Sequence, residues 1–266
     1  MRDKTFAQGG SVIKSKSLTE PLIRSISDAA EERIYGFTRK TLFSPSLTGN
    51  SRIKLCAVNG TGGTSSQRHT HPGDELVITL DGATRNFSGT REYPLRQLHA
   101  LAMPPQTEHQ TVVETQEWNG ISVYCDDCPL INGYTPSGTG GITVSPLEPP
   151  GKGCIDILHS RDIFLPLRRE TELLSLAVYS SRAESPSVWI THQEETVYFV
   201  IAGQLQVSWA NDCHCLGPKV AALLPAGFKH ALKAESPCGC LVVAASCSAC
   251  PLTKQPPKPP AANPES

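Results

Sequence analysis

The sequence has no apolar run approaching the roughly 20 residues that a helix needs to cross a bilayer. Its first fifteen residues also lack the apolar core of a secretion signal. There is no surplus of charge either: 24 Lys and Arg face 25 Asp and Glu, a formal net charge of −1. Without a basic field or a helix-turn-helix pattern, neither nucleic acid nor an acidic membrane surface is an expected partner. A cytoplasmic protein acting on a small molecule is the expectation. Hydrophobic residues make up 39% of the chain and charged residues 18%, which suits a packed core. Its 266 residues give room for two small domains.

Cysteine, by contrast, is plentiful. Ten are present, seven of them beyond residue 150, several as close pairs. Without a secretion signal, reduced or metal-bound thiols are expected before disulfides.

The first fifty residues are polar and mixed. Ser17-Leu-Thr-Glu20 has capping-box spacing, which predicts a short helix running toward Ile34. From Arg52 the texture changes to short β-type runs, namely Ile53–Val58, Glu75–Leu80, His99–Met103 and Gly120–Tyr124. A second series follows: Ser175–Tyr179, Thr196–Ala202, Leu205–Trp209, Val220–Leu224 and Cys240–Ala244. Turn residues separate these runs and no helical periodicity intervenes, so an all-β fold with a sandwich or barrel in each half is expected. The expected boundaries are an N-terminal extension over 1–50, a first domain over 51–131, a linker over 132–153 and a second domain over 154–253. The Pro-rich stretch 254–266 reads as a disordered tail.

The two series are copies of one another. Gly82 and His109 stand 27 positions apart, as do Gly203 and His230. Pro104-x-Gln-x-x-His109 matches Pro225-x-Gly-x-x-His230, and Cys125-Asp-Asp-Cys128-Pro-Leu matches Cys247-Ser-Ala-Cys250-Pro-Leu. Duplication of one β-domain accounts for the shared order.

The first copy carries a set of metal-type donors. Residues two apart on a strand share a face, so His69 and His71 project together. Pro72-Gly73 supplies a turn, and Glu75 enters the next strand at a parity that lets it converge on them. Gly63, five residues, His69-Thr-His71, three residues, Glu75, six residues and Gly82 together resemble the first signature of the cupin superfamily. His109 stands where the second signature carries its single histidine, although Leu98, Gln106 and Val113 replace that signature's Gly, Gly and Asn. The resemblance extends over about residues 52–125 and, more weakly, 154–250. It implies tandem cupin-type β-barrels (double-stranded β-helix, or jelly roll), a bicupin with one metal at the first barrel's mouth. His69, His71, Glu75 and His109 would be its ligands. Three imidazoles and a carboxylate suit Fe(II), with Mn, Ni, Co or Zn as alternatives, and leave two octahedral positions open.

In the second copy Ile190 replaces the first histidine and Thr196 the glutamate, with Glu195 one residue early. Either His192, Glu195 and His230 form a second metal site, or this copy has lost its metal and serves packing or a homodimer. The two Cys-x-x-Cys pairs (Cys125 and Cys128, Cys247 and Cys250) could meet at a structural Zn or Fe. Cys213, Cys215, Cys238 and Cys240 form another such candidate cluster, unless all these thiols simply fill apolar space. Arg85, Arg91 and Arg96 are candidates to hold an anionic substrate, with a solvated face as the bland alternative. The leading functional expectation is a mononuclear non-haem Fe(II) oxygenase, or dioxygenase, and hence an oxidoreductase. The alternatives are a metal-dependent isomerase, lyase or cyclase, or a non-enzymatic small-molecule or redox sensor.

Overall fold

Period-two alternation of apolar residues governs the architecture of this chain. The computed structural model describes residues 18–49, 52–125, 131, 141–147, 159–162, 173–181, 187–235 and 239–247. Nearly all their regular structure is strand, and the strands pair antiparallel. Four sheets result. The first half supplies a seven-stranded sheet and a three-stranded one, the second half most of a six-stranded sheet and a four-stranded one.

Alternation decides what each face covers. On the strand Glu75–Asp81, Leu76 and Ile78 point toward the other half, whereas Val77 points into the space enclosed by its own two sheets. The matching strand Thr196–Gly203 sends Val197 and Phe199 toward the first half and Tyr198 and Val200 inward. Three cores follow. Val77, Leu95, Met103 and Trp118 fill the first sandwich, and Tyr198, Leu205, Val207 and Leu232 fill the second. The largest core lies between the seven- and six-stranded sheets, where Ile121 and Val123 meet Leu223 and Val243. At about 1.5–3 kcal/mol per buried large aliphatic side chain, this shared core binds the halves firmly.

Backbone exchanges reinforce it. The strand Leu22–Ser25 pairs with Val220–Leu224, so residues near the N-terminus close an edge of the second half's larger sheet. Asp74 is buried, and its Oδ2 accepts the N–H groups of Leu173 and Leu174 at 2.8 and 2.9 Å. Reciprocally, Glu195 Oε1 accepts the N–H of Ile53 at 3.2 Å. Asp74 and Glu195 are 121 positions apart, as are Ile53 and Leu174, the same offset that relates Gly82 to Gly203. Each half therefore caps the chain that enters the other, and the paired Arg52 and Glu194 lie beside one of the caps.

The strand expectations hold with ends moved by a few residues, but two segments differ. Over the described part of the expected Ser17–Ile34 helix, the chain is a strand at Leu22–Ser25, a single 3-10 turn at Ile26–Asp28 and a second strand at Glu31–Ile34. Ser25 and Asp28 make the capping box, so the right chemistry was read eight residues early. Part of the expected linker, Thr143–Pro146, pairs with His99–Met103 as an edge strand of the seven-stranded sheet. The proposed tail lies outside the described residues.

Candidate metal centre

The ligand-bearing segment Gly62–Asp74 is not a regular strand. It is held open and extended by isolated bridges, Ser65 to Val112 and His69 to His109, the latter with hydrogen bonds of 2.9 and 3.0 Å in both directions. Gln106 N donates to His71 O at 2.8 Å and fixes the next turn. Leu98 and Gln106, which stand where the resemblance expects glycine, both adopt positive φ, 55° and 61°. Their counterparts Lys219 and Gly227 do the same at 67° and 74°. The turn geometry thus survives the loss of glycine, at a strain of roughly 1–2 kcal/mol per residue.

These turns bring three imidazoles together. One ring nitrogen each from His69, His71 and His109 lies within 4.8 Å of the others, and the ring centroids are 4.3–5.3 Å apart. Nδ1 of His69 faces Gln67 O at 2.8 Å and Nδ1 of His109 faces Thr107 O at 2.9 Å. A carbonyl can only accept, so Nδ1 carries the proton in both rings and Nε2 keeps its lone pair for a ligand. Glu75 is buried, and its Oε2 lies 3.3 Å from His71 Nε2 and 3.2 Å from His109 Nε2. Glu75 thus stands at ligand-type distance from two of the rings, while the donors that lie within 4.8 Å of one another are those of the three histidines.

Charge agrees with that placement. Burial pulls the His69 imidazole below its ordinary value, and the neighbouring His109 and His71 add to the effect, so the ring is neutral near pH 7. Burial opposes ionisation of Glu75, but the His109 and His71 rings beside its Oε2 outweigh it and hold the carboxyl well below the usual range. His69 thus offers a neutral imidazole and Glu75 an anionic carboxylate, the forms that ligate.

The centre opens into a cavity of about 370 Å³. Its walls include Ile34, Tyr35 and Phe37 from the N-terminal hairpin, with Val58, Trp118 and Tyr124 opposite. Tyr124 is buried with its ring centroid 5.1 Å from that of His71. Burial and then the Glu75 charge push its phenol well above its ordinary value, so it stays protonated. Of the three candidate arginines, Arg85 pairs with Glu114 at 3.0 Å on the small sheet, and none of Arg85, Arg91 and Arg96 lines this cavity. Its cation is Arg39, from the stretch read from sequence as an unassigned extension. Cross-strand pairing of Phe37–Phe43 with Lys54–Thr61 was the missing information, since Arg39 faces Val58 only in that register.

The corresponding place in the second half is filled. Tyr198, the counterpart of Val77, sets its hydroxyl 2.5 Å from His192 Nε2 and 3.0 Å from His230 Nε2. Glu195 does not join them. No bulge shifts it, so its odd position on the strand sends it to the other face, where it caps Ile53. Among the described residues no metal-type group forms there. Cys125 and Cys247 are buried in the same inter-sheet core, whereas Cys128 and Cys250 lie outside the described residues. Cys213 and Cys215 are exposed on an outer strand, Cys240 is buried, and Cys238 is outside the described residues.

Residues 56–138 match the family model described as the AraC-like ligand binding domain. Among solved structures, the chain superposes on protein Ylba from E. coli (family-model DUF861) with a TM-score of 0.67 and 12% identity, over 88% of this chain and 95% of that one. Bacillus subtilis oxalate decarboxylase, whose structure describes Mn(II) centres, gives 0.64 at 11% identity, over 88% and 78%. The fold is of the cupin type. Lactobacillus farciminis oxalate decarboxylase in a formate complex is similar too, with a TM-score of 0.62 at 12% identity over 85% and 86% of the two chains. No curated protein sequence matches the chain. No helix among the described residues is long and apolar enough to cross a membrane.

Proposed function

We propose that this protein is a bicupin enzyme that holds one divalent transition metal with His69, His71, Glu75 and His109 and oxidises a small molecule as a mononuclear non-haem Fe(II) oxygenase. The observation that carries this reading is the convergence of three imidazole nitrogens beside a buried carboxylate at the floor of a ligand-sized cavity. When bound, an Fe(II) ion would supply open positions for an oxygen-donor substrate and for dioxygen. The protein's part is orientation and exclusion. Carbonyls 67 and 107 fix two ring tautomers, Trp118 and Phe37 keep the walls apolar, and Tyr124 holds a proton beside the centre.

A bicupin organisation, with domains over 51–131 and 154–253, is supported by the reciprocal caps and the common offset of 121. A second reading, a redox-neutral lyase using Mn(II), is favoured by the likeness to oxalate decarboxylases with Mn(II) centres.

The test is anaerobic purification, metal analysis, and titration with Fe(II) or Mn(II), followed by dioxygen uptake and carbon dioxide release across a panel of small acids. Oxygenase chemistry predicts Fe(II)-dependent oxygen consumption. Turnover with Mn(II) and no oxygen consumed would replace it with the lyase. Saturable ligand binding without turnover under either metal would leave a sensing module, as the match to a ligand-binding family would suggest.

A further inference from the structure

We propose that Arg39 is the anion anchor of the cavity, so that the substrate is a small carboxylic acid held by Arg39 at one end and by the metal centre at the other. This inference rests on the metal reading above and adds the substrate's chemical class.

Arg39 is the one Lys or Arg among the described residues that line the cavity. It lies on Phe37–Phe43 opposite Val58, two residues from Phe37, so both side chains share the inward face. Its side chain is about three-quarters buried, and it makes a single hydrogen bond among the described residues, Nε to Glu32 Oε1 at 2.7 Å. That bond engages one of five N–H donors. The fork that remains matches the two oxygens of a carboxylate, a planar pairing that a lone lysine could not offer.

The charges favour one more anion. Arg39, its partner Glu32 and the buried Glu75 sum to −1, and a divalent ion would bring the group to +1. One carboxylate would then neutralise it. The apolar side chains of Ile34, Phe37, Val58 and Trp118, which line the same cavity, suit a short hydrocarbon or aromatic body. A single arginine between such walls suits a carboxylate better than a phosphate, whose greater charge generally calls on several donors.

The experiment uses the full chain loaded with Co(II), with benzoate and benzamide, and butyrate and butyramide, as matched probes. Binding is read from the visible Co(II) spectrum and from tryptophan fluorescence. The acids should bind the native protein about 10- to 100-fold more tightly than their amides, as expected for a charge-assisted pair. Arg39→Gln should erase that preference while still taking up one Co(II). Glu32→Gln, which removes the competing carboxylate, should tighten acid binding several-fold. Equal affinity for acid and amide in the native protein, no binding of either acid, or an intact preference in Arg39→Gln would overturn the assignment. Should Arg39→Gln fail to fold, Arg39→Lys decides: loss of the fork should weaken acids several-fold, and no change would reject the anchor. If the native protein takes up no Co(II), the metal reading fails instead, and the same acid–amide comparison on the metal-free chain decides the role of Arg39.

Discussion

Val77 and Tyr198 occupy equivalent places on equivalent strands, each pointing into the space between its two sheets. Around Val77 the first half leaves a cavity with three histidines and a carboxylate at its floor. Around Tyr198 the second half keeps two of the histidines and puts a hydroxyl between them. The backbones agree closely enough to share even their positive-φ turns. The chemistry diverges through single side chains. Ile190 stands where the first half has His69, Thr196 where it has Glu75, and the Tyr198 ring stands where the first half has Val77. A barrel conserves its frame through many strands, whereas a site is lost through a few positions.

The largest effect expected from this contrast concerns metal content. His69→Ala combined with His71→Ala should lower bound metal from one equivalent to none, measured by elemental analysis of the purified protein. His192→Ala with His230→Ala should leave it unchanged. Loss in the second pair would make the halves more alike than the tyrosine allows.

Next come the reciprocal caps. Asp74→Ala removes two charge-assisted hydrogen bonds to buried N–H groups and should cost about 3–5 kcal/mol in urea unfolding. Glu195→Ala removes the bond to Ile53 N and should cost about 1.5–3 kcal/mol. No measurable cost in either variant would show that the caps do not tie the two halves together.

Tyr198→Phe deletes the hydroxyl between two imidazoles and should lower stability by about 1–2 kcal/mol. No comparable bond exists at Val77. Acid should act on the same site. Burial, and then the proximity of His230, hold His192 near a pKa of about 4, below the ordinary 6.5. The unfolded chain therefore binds the extra proton first, and the His192 contribution to stability falls as pH drops from about 6.5 toward 4, with no further loss below that. Melting temperature against pH should be flatter over this window in His192→Gln, and an unchanged slope would assign the acid sensitivity elsewhere.

The smallest effect concerns the turns. Gln106 is exposed at φ 61°, so Gln106→Gly should raise stability by about 0.5–1 kcal/mol. Gly227→Gln should lower it by a similar amount, and equal signs would break the correspondence between the two turns.

Much of this was legible without coordinates. Short strands, the internal repeat and the shared face of His69, His71 and Glu75 follow from period-two alternation and spacing, whereas His109 was added through the resemblance to the cupin signature. Arg39, Tyr124 and Tyr198 were not legible, because their roles depend on which strands lie side by side. Glu195 misled for a related reason. A carboxylate beside a histidine suggests a ligand, yet one step along a strand turns it through the sheet. Its identity as Asp74's counterpart was present in the 121-residue offset, which the histidines and glycines already defined. The N-terminal segment was misread because capping chemistry at Ser17 and at Ser25 looks alike, and only pairing with Val220–Leu224 shows the second to be the real one.

The exchanged caps and the borrowed edge strand bear on why a copy without its histidine–carboxylate set persists. Deleting the second half would strip Ile53 of its acceptor and expose the broad apolar face that carries Ile121 and Val123. The first half alone would then present a sticky, unfinished surface, while Leu22–Ser25 would have no sheet to join. Side chains inside the second sandwich can therefore change more freely than the face it shares with the first. The second half thus serves as the permanent cover of an apolar face that the first half could not leave open to water.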